Sequence, residues 1–109
     1  MDNDLALPQD PTARAIAERI VALTAERQGM TPETGGCRAF YTAEEWRDRG
    51  ERYGRNAALI VVHDGGDLAG YFNMDYGCWG DIAAMTAALE GMGYYAEPCT
   101  SWYTAIYRA

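Results

Sequence analysis

Ala57-Ala58-Leu59-Ile60-Val61-Val62-His63, followed by Asp64-Gly65-Gly66, is the stretch on which the fold turns. A continuous apolar run rich in β-branched residues and stopped by a turn signal predicts a central strand covered on both faces. The Asp-Gly-Gly turn uses glycine to reach backbone angles closed to other residues. A strand of this kind needs cover from two directions, so the flanking sequence must supply helices and neighbouring strands.

Toward the N-terminus, Asp10-Pro11 marks a helix start: aspartate caps, and proline is tolerated in the first turn. Ile16, Ile20 and Leu23 recur at helical spacing, so a first helix is expected over about 11–28, ending at Gly29. Cys37 to Tyr41 reads as a short strand. Thr42-Ala43-Glu44-Glu45 matches the capping-box pattern and opens a second helix expected to reach about Tyr53, with Trp46 and Tyr53 on one side. Toward the C-terminus, Asp67 to Gly77 reads as a turn of helix followed by a loop. A third helix is expected over about Cys78 to Gly91, with Trp79, Ile82, Ala83, Thr86 and Leu89 toward the core. Tyr94 to Glu97 and Trp102 to Tyr107 then form a hairpin around Pro98-Cys99-Thr100-Ser101, favoured by aromatic and β-branched residues. The expected fold is α+β: three helices packed on a small, mainly antiparallel sheet of three to four strands ending in a C-terminal hairpin. One domain spans residues 1–109, with residues 1–9 flexible.

Charge is distributed unevenly. Sixteen acids oppose nine bases for a net charge of -7, and every base is arginine. No arginine or lysine occurs between Arg55 and Arg108, a span that contains Asp64, Asp67, Asp75, Asp81, Glu90 and Glu97. Such a surface repels nucleic-acid phosphates and attracts basic proteins, which argues against direct nucleic-acid binding. An ordinary solubilising surface accounts equally for the acids. No apolar run approaches the roughly 18–20 residues needed to cross a bilayer, and no apolar segment follows the acidic start, so a cytoplasmic location is expected.

Motifs for chemistry are sparse. His63 is the only histidine and follows the core strand, so a small enzyme would be centred on His63 and Asp64. A histidine beside a turn is more often structural. Cys37, Cys78 and Cys99 are widely spaced without a CxxC and are expected to be reduced and mostly buried. Asp64-Gly65-Gly66-Asp67 lacks the length of a calcium loop, and without lysine no phosphate-binding GxxxxGK[ST] exists. No catalytic residue, metal or cofactor is assigned.

The aromatic residues carry the stronger signal. Tyr71, Tyr76, Trp79, Tyr94, Tyr95, Trp102, Tyr103 and Tyr107 all fall in the span without arginine. Strand alternation turns only about half of such residues inward, and tyrosine and tryptophan are favoured interface anchors that stack on guanidinium groups. Core filling is the competing account. Asp64, Asp67, Tyr71, Asp75 and Tyr76 are the candidate partner-binding residues.

The stretch Leu59 to Gly66 and the tail Glu97 to Tyr107 resemble segments of small bacterial and prophage proteins. In general character the chain resembles phage-borne inhibitors of bacterial immunity, anti-CRISPR proteins among them: small, acidic and without a catalytic motif. The resemblance transfers no functional residue. It implies a protein that binds a basic host protein or ribonucleoprotein effector and blocks it. The leading expectation is therefore a non-enzymatic inhibitor or modulator acting by protein–protein contact. A homodimeric accessory protein comes second, and the small enzyme third.

Overall fold

The computed structural model describes residues 4–109. Helix α1 (Pro11–Gln28) begins where the Asp10 carboxylate accepts a 2.9 Å bond from the Ala13 N–H. It ends at Gly29, whose left-handed conformation (φ 80°) lets its N–H reach the Ala25 carbonyl. Ala13, Ile16, Ala17, Ile20 and Leu23 form its buried stripe. Next come β1 (Phe40–Tyr41) and α2 (Ala43–Asp48), the latter opened by the reciprocal Thr42–Glu45 capping box.

Strand β2 (Leu59–Val62) is followed by α3 (Ala69–Phe72), a 3-10 turn at Met74–Tyr76, and α4 (Trp79–Gly91). Strands β3 (Tyr94–Pro98) and β4 (Tyr103–Arg108) close the chain as a hairpin. The strands lie in the order β1-β2-β4-β3, every neighbouring pair antiparallel. The fold is α+β with four helices; the additional one, α3, falls where the sequence suggests a single helical turn.

β2 is central and covered on both faces. Leu59 and Val61 face α1, α3 and α4 with Phe40, Ile106, Met85 and Leu89. Ile60 and Val62 face Trp46, Tyr103 and Ala105 on the other side. Leu59, Ile60 and Val61 are fully buried, and burial of each side chain of this size stabilises by roughly 1.5–3 kcal/mol.

Several boundaries and facings differ from expectation. α2 stops at Asp48 instead of Tyr53, because Gly50 adopts a positive φ of 81° just beyond it. Trp46 is buried, but Tyr53 is half exposed. In α4 the core stripe is Met85 and Leu89, whereas Trp79, Ala83 and Thr86 face solvent. At ~100° per residue Trp79 lies ~120° around the helix from Met85, outside the stripe. The three cysteines are free and half-buried, less enclosed than expected. Of the N-terminal segment expected to be flexible, residues 1–3 lie outside the described residues. In residues 4–9 the Asp4 carbonyl accepts from the Ala39 N–H at 2.8 Å, Leu5 and Leu7 pack on the core, and Gln9 is exposed. Among the described residues no helix is long and apolar enough to cross a membrane.

Candidate protein-binding surface

His63 directly follows β2, donates its N–H to the Trp102 carbonyl at 3.0 Å and is 3% exposed. Its Nε2 lies 3.0 Å from the Thr104 hydroxyl on β4, and its ring stacks on Phe72 at 5.6 Å between centroids. Nδ1 is buried without a hydrogen-bond partner among the described residues. Burial lowers the imidazole pKa to about 4, against a smaller raising effect of the Asp64 charge. The neutral ring is packed between a strand and α3, and its nitrogens do not face solvent. Burial also raises the Cys37 and Cys99 thiols, the opposite of the shift that activates a cysteine nucleophile. Among the described residues no three His, Cys, Asp or Glu side chains are grouped to hold a metal ion.

The five residues expected to contact a partner separate into four environments. Asp64 is exposed on the turn after β2. Asp67 leaves that turn and ties it to the preceding loop. Its carboxylate accepts from the Glu33 N–H at 2.8 Å and from Gln28 Nε2 at 3.2 Å, while its own N–H donates to the Glu33 carbonyl at 2.7 Å. The two loops approach so closely that a Cβ at Gly66 would sit 2.7 Å from the Glu33 carbonyl oxygen. Asp67 is thus a tether between loops.

Tyr71 does not belong to the surface. It sits in α3, 6% exposed, within the main core cluster. Burial, with the Asp81 charge, raises its phenol pKa against the lowering influence of Arg27. The short α3 is enclosed on more than one side and buries Ala69, Tyr71 and Phe72.

Asp75 and Tyr76 do come together on the exposed 3-10 turn. The Asn73 side chain accepts from the Asp75 N–H at 2.9 Å and donates to the Ser101 carbonyl at 3.1 Å, which ties the turn to the β3–β4 hairpin. Gly77, at φ 69°, ends the turn and redirects the chain into α4. Along this short path Met74, Tyr76 and Trp79 are 54%, 56% and 61% exposed. Trp79, expected toward the core, faces solvent, and so does Met74, which the sequence does not single out. A stricter reading of the α4 period around Met85 would have turned Trp79 outward, but nothing in the local sequence marks Met74.

Beside this rim lies an apolar groove of about 240 Å³ between α4 and the end of β3, lined by Met74, Ile82, Met85, Thr86, Ala96 and Pro98 among others. The nearby Asp81 carboxylate is joined to Arg27 at 2.8 Å. No protein family, curated protein or solved structure matches this chain.

Proposed function

We propose that this chain is a non-enzymatic inhibitor or modulator that binds a basic protein, in the manner of the phage-borne inhibitors it resembles, and blocks a host nucleic-acid-handling effector. The observation that carries the reading is the segment from Met74 to Trp79: within six residues three large apolar or aromatic side chains are each more than half exposed, with the exposed Asp75 between the first two. Large exposed apolar side chains grouped in this way mark interaction sites in soluble proteins. The negative charge of the chain favours a partner rich in arginine or lysine, with carboxylates raising the association rate and aromatics slowing dissociation.

The test is inhibition of nucleic-acid cleavage by a panel of purified RNA-guided effectors. A binder of this kind inhibits stoichiometrically, with saturation near one chain per effector. The double variant Asp64→Asn/Asp75→Asn associates more slowly with the inhibited effector and shows a flatter salt dependence. Trp79→Ala mainly speeds dissociation. Asp67 is left intact because of its role between the loops. Inhibition at far below equimolar amounts would point to turnover, and no inhibition across the panel would remove the reading.

A further inference from the structure

The sheet has two edges of different character. β1 offers only two residues, whereas β3 runs for five and pairs on one side only, with β4. Two backbone bonds fix how β3 is oriented. The Ala109 N–H donates to the Gly93 carbonyl, and the Cys99 N–H donates to the Tyr103 carbonyl. Odd-numbered positions of β3 therefore turn their backbone groups toward β4, and even-numbered ones turn outward. The N–H and C=O groups of Tyr94 and Ala96 have no backbone or side-chain partner among the described residues. Pro98 adds an outward carbonyl but no donor, which limits the open edge to its first four residues.

The side chains along this edge alternate in character. Tyr94 and Ala96 pack toward the core cluster beside α4, and Ala96 and Pro98 line the apolar groove. Tyr95, 42% exposed and 5.7 Å from Tyr107, faces the opposite side with the exposed Glu97. Arg27, whose side chain approaches the start of α4, is paired with Asp81. Arg108 lies on β4 opposite Tyr94, at the far end from the groove.

We infer that β3 and the groove beside α4 receive an extended segment of a basic protein, added antiparallel as a fifth strand. Donors and acceptors of Tyr94 and Ala96 would form the ladder. Residues of the guest directly opposite Tyr94 and Ala96 share their face, so apolar side chains there enter the groove lined by Ile82, Thr86 and Met74. Intervening residues face Tyr95 and Glu97, where arginine or lysine meets a carboxylate and an aromatic ring. The recognised sequence thus alternates apolar and basic residues. A second copy of this chain is a poor guest, since two chains of net charge -7 would meet along an edge bearing Glu97. The inference rests on the proposed binding of a basic partner and adds the place and the form of that partner.

The experiment titrates the full isotope-labelled chain with a synthetic peptide of four Arg-Val repeats, capped at both ends. Expected are saturable binding and at least tenfold slower hydrogen exchange at the Tyr94 and Ala96 amides. A Glu-Val peptide of equal length should not bind. Nor should the Arg-Val peptide N-methylated at alternate residues, which removes its ladder donors without altering the protein. Thr86→Trp, at an exposed helical position, should fill the groove and weaken binding about tenfold with an unchanged melting temperature. Failure of the Arg-Val peptide to saturate would overturn the inference. So would protection confined to the Asp64 turn, equal binding of the Glu-Val peptide, or concentration-dependent dimerisation that protects Tyr94 and Ala96 without any peptide. An effector inhibited as strongly by Thr86→Trp as by the native chain would remove this docking site and leave the proposed function intact. Peptide binding at β3 without inhibition of any effector would remove that function and leave the docking site.

Discussion

Two aromatic regions of the molecule treat the same side chains in opposite ways. Around α2, the chain covers its aromatics with its own cations. The Arg38 guanidinium stands 4.3 Å from the Tyr41 ring centroid, and Arg49 stands 4.7 Å from that of Trp46, which is fully buried. Tyr41, Trp102 and Tyr103 complete the cluster around Trp46. Around the 3-10 turn and the start of α4, Tyr76 and Trp79 are exposed, and among the described residues no guanidinium lies over either ring. The arginines are concentrated where the aromatics are already buried. Around Tyr76 and Trp79 the charges are the Asp75 carboxylate and the Asp81 carboxylate, the latter already joined to Arg27. The first region is covered within the chain; the second presents its rings to solvent.

Substitution of the tryptophans tests this contrast most directly. Trp46→Ala should lower stability by about 3–5 kcal/mol, through lost burial and the cavity left between β2 and α2. Trp79→Ala should change it by less than about 0.5 kcal/mol. Urea denaturation of both variants is the measurement, and equal costs would erase the distinction between the two regions.

His63 belongs to the span without arginine yet is as enclosed as the α2 cluster, and pH exposes that difference. Its folded-state pKa of about 4 lies below the ordinary value of 6.5, so the unfolded chain binds the proton more tightly. The stability due to the neutral ring is fully present above about pH 6.5 and is lost as pH falls toward 4, by roughly 3 kcal/mol at most. Denaturation midpoints measured across that range should decline, and His63→Gln should flatten the decline. A slope unchanged in the variant would assign the effect to other groups.

Carboxylates sharpen the comparison at smaller magnitude. Asp67→Ala should cost about 1 kcal/mol by removing the acceptor for the Glu33 N–H. Asp64→Ala, on the exposed turn, should stay within about 0.5 kcal/mol. Thermal denaturation of the pair separates a loop tether from a solvated charge.

Much of the architecture was legible from local patterns. The β-branched run Leu59–Val62, the Asp10-Pro11 start, the Thr42–Glu45 box and the aromatic hairpin each act within a few residues, so their consequences appear in the sequence. The candidate surface was legible only in part. Asp75 and Tyr76, candidate contact residues by sequence, are exposed, whereas Tyr71, a candidate on the same grounds, is turned inward by α3. Asp67 carried the right charge for a contact residue, but its hydrogen bonds to Glu33 and Gln28 join segments far apart in the chain.

By itself the sequence determined the α+β class, the central strand, the helix starts and the separation of arginine from the later aromatics, because periodicity, capping and composition are local properties. Only the tertiary structure decided which aromatics are open and which edge of the sheet is unpaired. Both depend on what α3, α4 and the strand order cover. The burial of Tyr71 and the backbone of Tyr94 and Ala96, unpaired among the described residues, follow from packing between distant segments, which no short stretch of residues encodes alone.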